Sequence, residues 1–446
     1  MRKLLVFSLV LVLLVASSVL AETRVVNVNV KSVTGIGVPV RITMSHLRDL
    51  VGEDFDANWD SIRVYDSQNN ELPYQIDDVD LNGKLSAKDV LAFLTIGNAK
   101  IKVSDDLSIE PPTYANSFVV KSINGEETIS TNDGKFVVTV DDHGVVHVKK
   151  FDVVEGTVLD EIGIARVSGF PESTYYVNKE IGKHVEKVSY DFRVAKMKVL
   201  DGNNPVAVTV VADLVSKNFV GLEQHNIISI YKTGDILVNT KFVFKTYEDM
   251  MKLQIMVTRP LTEVAEDAIH ILPIFRRLTW ADQLGVTPLD YWLEKNAIVY
   301  VDKEPYTAFS ATDSMKPLWW GATYIFASEE RWRTNYSPKL KMGVGEILPE
   351  KEIVPVDYWK WICGNTWVYE SREFRDGVFK WIPGEFDVYA ATKGCVPKGQ
   401  LPNRYKAGDV VVFNRVYSIY NSSSEYNAVR YLEGRTKEFR SVKITK

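Results

Sequence analysis

Cysteine is nearly absent from this chain: Cys363 and Cys395 are the whole supply. They do not form a Cys-x-x-Cys pair, which removes the usual spacing of a zinc site. Glutamine is scarce too, six residues beside abundant Lys and Glu, a balance that leans towards a hot-growing source. No block of basic residues is present to follow a phosphate backbone, and the formal charge is −5, so nothing here suits nucleic acid. His-Glu-x-x-His, Gly-x-Ser-x-Gly, a phosphate loop and a dinucleotide fingerprint are all missing, which sets several familiar enzyme classes aside. There is no internal repeat and no low-complexity tract. Beyond residue 21 no apolar run is long enough to cross a bilayer.

The first residues, "MRKLLVFSLVLVLLVASSVLA", place Arg2 and Lys3 before an apolar run that ends in small residues. That is the pattern of a secretory signal peptide over residues 1–21, cleaved after Ala21. The alternative is an uncleaved anchor, since the run approaches the length of a span. Cleavage takes the formal charge from −5 to −7 and predicts a secreted, periplasmic or cell-envelope protein. In such a compartment the two cysteines pair as a disulfide, with two buried thiols or a metal site as the rival readings.

Period-two alternation dominates the chain after Ala21. In "RVVNVNVKSV", Val26, Val28 and Val30 share one face and Asn27, Asn29 and Lys31 the other, as in a strand with one wet side. "KFVVTVDDHGVVHVKKF" and "NIISIYKTGDILVNTKFVF" each predict two strands around a turn, and "PVAVTVVADLV" another strand. His143 falls in the first of these turns and His147 on a strand's wet face. Helical periodicity is confined to "SHLRDLVG", the segment after Ser86 and "TEVAEDAIHIL". Pro111 and Pro112 cannot join a ladder, so a boundary is set near them. The expected fold is mainly β: a small β-sandwich over residues 22–110, then a large antiparallel β super-sandwich over 111–446.

"DDVDLNGKLSAKDV" has the spacing of a twelve-residue calcium loop. Asp78, Asp80 and Asn82 take positions 1, 3 and 5, Gly83 the sharp turn, Lys84 offers a carbonyl, Ser86 stands at 9 and Asp89 closes at 12. Alternating oxygens surround a hard cation that takes six to eight ligands, so structural Ca2+ is the cofactor expected. The blander reading is a turn followed by a helix, because Ser86-x-x-Asp89 is also a capping box. The loop resembles those of dockerins over these twelve residues, with no helix ahead of it.

Nine of the ten tryptophans lie between Trp280 and Trp381, interleaved with polar residues. Sugar rings stack apolar faces on indoles while their hydroxyls need carboxylates, amides and guanidinium groups, and this region supplies both. Trp319, Trp320, Trp332, Trp359 and Trp361 are the expected platforms of a groove, against the alternative that tryptophans fill the core. For proton transfer the candidates are His225, with Glu223 two residues earlier on the same face, and His270, ahead of Arg276 and Arg277, which could hold an anionic sugar. Acids such as Asp313, Glu346, Asp357 and Glu370 cannot be ranked from the sequence.

"VPVRITMSHL" and "SIRVYDSQNNELPYQIDDVDLNGKLSAKDVLAFL" resemble the opening module of an uncharacterised family of secreted bacterial proteins linked to polysaccharide breakdown. "STNDGKFVVTVDDHGVVHVKKF" is similar to the first hairpin of the galactose-mutarotase-like super-sandwich that comes next in that family, and "KMGVGEILPEKE" to a Gly-rich edge later in it. The resemblance implies a carbohydrate partner and carries over no active-site residue. The function expected is an exported carbohydrate-active protein, as a polysaccharide lyase or glycoside hydrolase. The alternatives are a glycan-binding protein without turnover and a purely architectural envelope protein.

Overall fold

The computed structural model describes residues 21–123, 125–169, 192–217, 219–261, 263–273, 298–310, 322–326, 331–350, 366–375, 378–389 and 403–446. As the alternation predicts, the architecture is mainly β and antiparallel. An 11-stranded and a 10-stranded sheet face each other across one apolar core, a super-sandwich. Its centre is built from alternate residues of successive strands, such as Ile228 and Ile230 of Leu222–Tyr231 and Val238 and Phe242 of Asp235–Phe244. These β-branched and aromatic side chains point one way from the pleat while their neighbours point out.

A 5-stranded and a 3-stranded sheet form the smaller β unit. Val26 and Val28 are fully buried there, on the face that the alternation assigns to the interior. The 3-stranded sheet is covered on both sides. Tyr74 and Ile76 face the smaller core, while Gln75 and Asp77 face the large sheet, where Gln75 Oε1 accepts from Ala207 N at 3.1 Å and Asp77 Oδ2 accepts from Thr209 Oγ1 at 2.6 Å.

Helices are sparse among these strands. "SHLRDLVG" forms helix α1, Met44–Val51, capped by Thr43, whose Oγ1 accepts from His46 N at 3.3 Å, and buried along Met44, Leu47 and Val51. No helix follows Ser86: the chain turns there and enters the strand Val90–Thr95. "TEVAEDAIHIL" likewise gives turns and then the strand Ile269–Pro273. The longest helix among the described residues, α2 (Glu425–Ser441), escapes the sequence periodicity, because its buried stripe mixes Ala428, Val429, Leu432 and Phe439 with Arg435, Thr436 and Glu438. Polar residues in core positions hide the apolar period.

The C-terminus completes the smaller unit. The strand Lys443–Thr445 pairs with Thr23–Asn29, and α2 packs into the same core as the N-terminal strands. Gly343 and Gly345 of the strand Met342–Ile347 permit this, since a Cβ there would collide with Tyr420 and Leu432. The Gly-rich edge is therefore a seat for close packing.

Candidate functional site

His225 sits on the outward face of the 10-stranded sheet, in a row set by the strand register. Lys196, Asp213, His225, Lys241 and Val412 succeed one another across five adjacent strands. The part of this face nearer the turn at Lys232–Gly234 is covered by the smaller β unit, where Thr209 Oγ1 donates to Asp77 Oδ2 and lies 2.8 Å from Ser229 Oγ. The part carrying His225 is open, with 36% of its side chain exposed.

The imidazole lies between two carboxylates. Nδ1 is 2.7 Å from Asp213 Oδ1, and Nε2 is 3.5 Å from Glu223 Oε2. Lys245 Nζ stands 3.2 Å from the same Glu223 oxygen. A carboxylate on Nδ1 fixes ring orientation and tautomer and leaves Nε2 to meet a proton donor or acceptor. The sequence pairing of His225 with Glu223 is real in space, but the shorter contact is with Asp213 on the neighbouring strand. Its signal is present in "PVAVTVVADLV", where one carboxylate interrupts an apolar run.

His270 belongs elsewhere. It projects between the sheets, is only 2% exposed, and burial pushes its pKa down to about 3, with the Arg333 charge acting the same way against a bond with Asn335. Five strand spacings, roughly 24 Å, separate its strand from that of His225, and the two side chains leave opposite faces. The two histidines cannot serve one site. Arg276 and Arg277 lie outside the described residues, as do Trp319, Trp320, Trp359, Trp361, Asp313, Asp357, Cys363 and Cys395.

Trp332 is corrected from groove platform to core. It is fully buried, its ring centroid lies 5.7 Å from that of Tyr306, and Nε1 donates to Glu433 Oε1 of α2 at 3.1 Å. The outward face of its strand is the face that α2 covers. Glu346 is buried as well, between the sheets. Arg333 Nε donates to its Oε2 at 3.0 Å and Arg415 Nε to its Oε1 at 3.2 Å. Two guanidinium groups on one carboxylate make a structural ion cluster.

The acidic loop has a compact geometry. One oxygen from each of Asp78, Asp80 and Asp89 lies within 4.8 Å of the others. Two ligands of one Ca2+ ion at 2.3–2.6 Å can be at most about 5 Å apart, so the set fits. Asp80 Oδ1 is buried and accepts no hydrogen bond, and Ser86 Oγ, with a single proton, faces both Asp80 Oδ2 at 3.0 Å and Asp89 Oδ1 at 3.1 Å. Burial raises the pKa of Asp89, as do the charges of Asp78 and Asp80, against hydrogen bonds from Ser86. Burial acts in the same direction on Asp78, but amide donors at Gly83 and Asn82 outweigh it and leave that carboxyl lowered. Gly83 takes φ +73° at the turn, as position 6 requires. Asn82 Oδ1 accepts from Lys84 N at 2.7 Å. Lys196 Nζ reaches the carbonyls of Asp80 and Leu81 at 3.5 and 3.2 Å, so the loop borders the His225 face.

His147, expected on a wet face, is largely buried between Asp141 and Asp160. Burial lowers its pKa, but the two carboxylates prevail and hold it up at about 9. His143 is in the hairpin turn as predicted, with Nδ1 2.6 Å from Asp142 Oδ1.

No protein-family model matches the chain, and no curated protein matches it. Among solved structures, the chain is similar to an alpha-mannosidase from Enterococcus faecalis V583, at 10% identity and a TM-score of 0.41 over 94% of this chain. It spans 46% of that protein, about half its length. It is also similar to a GalM/aldose epimerase homologue from C. elegans, at 10% identity and a TM-score of 0.33, over 69% of this chain and 100% of that one.

Proposed function

We propose that the protein is an exported carbohydrate-active protein that binds an oligo- or polysaccharide and acts on it as a lyase or a hydrolase. The observation that carries this reading is the Asp213–His225–Glu223 arrangement, exposed on the open part of a super-sandwich sheet. The sequence resemblance to a polysaccharide-processing family supports it. Asp213 is the positioning residue and His225 Nε2 the proton-transferring atom, once Glu223 gives way to substrate. The tryptophans at 319, 320, 359 and 361 are proposed to stack on sugar. We further propose that the loop at Asp78, Asp80, Asn82, Lys84, Ser86 and Asp89 holds structural Ca2+, which would stiffen the smaller β unit beside this face.

One observation favours a second reading. With a carboxylate near each ring nitrogen, His225 can also serve as a fixed donor in a glycan-binding protein without turnover. Incubation with a panel of neutral and acidic polysaccharides separates the two. A lyase produces ultraviolet absorbance from its unsaturated product, and a hydrolase releases reducing ends without it. His225→Ala is expected to lower either activity at least about a hundredfold. Sugar-dependent fluorescence without turnover supports binding alone, and no response to any glycan overturns both readings.

A further inference from the structure

The chain as a whole is acidic, yet the open sheet face around His225 is not. Across the three register rows that hold Arg193, Lys196 and Lys198, four cations, Arg193, Lys196, Lys198 and Lys241, stand against two carboxylates, Asp213 and Glu223. Both carboxylates are already engaged, one by His225 and the other by His225 and Lys245. Lys196 is committed to the backbone carbonyls of Asp80 and Leu81. Arg193, Lys198 and Lys241 are exposed, and among the described residues none of them has an ion-pair partner.

Their placement is specific. Arg193 and Lys198 lie on the edge strand Phe192–Leu200, and Lys241 lies three strand spacings away, roughly 14 Å, with His225 between. Beyond Lys241 the same face presents Val410 and Val412, 46% and 55% exposed, as an apolar ledge. Exposed cations on both sides of an imidazole, without ion-pair partners among the described residues and next to apolar surface, suit a ligand that carries repeated negative charge on rings with apolar faces. An uncharged sugar chain would leave these cations without a partner, and a simple anion would leave the ledge unused.

We propose that the ligand of this face is an acidic polysaccharide of uronate residues, with carboxylates held by Arg193, Lys198 and Lys241 and one ring set over His225. The assignment rests on the proposed carbohydrate function and narrows it to a substrate class. None of the three cations touches the His225 carboxylates, so each can be replaced without disturbing that arrangement.

The test measures binding of the full-length mature protein to polygalacturonate, to its fully methyl-esterified form and to polyglutamate. The variant Arg193→Gln, Lys198→Gln, Lys241→Gln is compared with the parent, and unchanged melting confirms its fold. The expected result is polygalacturonate binding that weakens at least about tenfold in the triple variant and at high salt, with the ester bound weakly by both. Equal binding of polygalacturonate by parent and variant overturns the proposal. So does equal parental affinity for the acid and ester forms, although that outcome preserves the carbohydrate function. Binding of polyglutamate as tight as that of polygalacturonate assigns the face to an acidic polypeptide and overturns it. Absence of binding to every glycan removes the proposal and the carbohydrate function together.

Discussion

His147 shows how a single position can invert its expected chemistry. On a wet strand face it would titrate near 6.5, but the ring is buried between Asp141 and Asp160 and holds its proton to about 9. A group raised in the folded state adds stability that is complete below its unfolded pKa and is lost as pH climbs through the folded value. The contribution is therefore full below about 6.5, declines from there to 9 and is gone above. Its size is up to roughly 3 kcal/mol, shared with the carboxylates that cause it. Melting temperature measured from pH 6 to 10 should fall more steeply in the parent than in His147→Gln. Equal slopes would show that the ion cluster adds nothing. Trp332 illustrates a different limit: its polar neighbours suggest a groove, yet the indole N–H is satisfied inside by Glu433 and the ring is sealed.

Among the elements, the loop from Asp78 to Asp89 joins sequence pattern to measurable energetics. Spacing alone marks six candidate ligand positions, and the fold brings the three carboxylates among them within 4.8 Å of one another. A ligand that binds only the folded state stabilises it by mass action, about 2.7 kcal/mol at a hundred times its dissociation constant. Added Ca2+ should raise the melting temperature, and a chelator should lower it to the value of Asp78→Ala with Asp80→Ala. A melting temperature indifferent to chelator would show that the loop is only an acidic turn. The helix expected from the capping box does not form, since the chain enters a strand after Ser86, but the box's own bond is present: Asp89 Oδ2 accepts from Ser86 N at 2.7 Å within the turn.

In the whole molecule, the two ends of the chain are fastened to the large sheet by one buried cluster. Arg435 of α2 pairs with Asp235 of the large sheet and with Glu438 Oε2, the latter at 2.7 Å. Glu438 Oε1 accepts from the backbone amides of Val33 and Thr34 at 2.7 and 2.6 Å. Burial lowers the pKa of Arg435, but the nearby charges raise it overall, so the cation is secure. Removing one member of such a cluster leaves buried charge poorly compensated and costs about 3–5 kcal/mol. Asp235→Asn should reduce stability by that order in denaturant unfolding. Amide exchange should then quicken together in the strands Thr23–Asn29 and Asp235–Phe244. Exchange confined to one of them would mean that the smaller and larger units unfold independently.

Alternation of apolar and polar residues and turn chemistry are local properties, and they sufficed for the β class, the hairpins around His143 and Lys232, and α1. Each depends on neighbours a few positions apart, which the sequence displays directly. What depended on strand register and sheet facing was decided only by tertiary structure. Register set Asp213 beside His225, and facing sent His270 to the interior. The docking of α2 buried Trp332 and used Gly343 and Gly345 as its seat. The basic character of the open face has the same origin, since Arg193 and Lys198 on one strand share a face with Lys241, far along the chain, only when antiparallel pairing aligns the intervening strands.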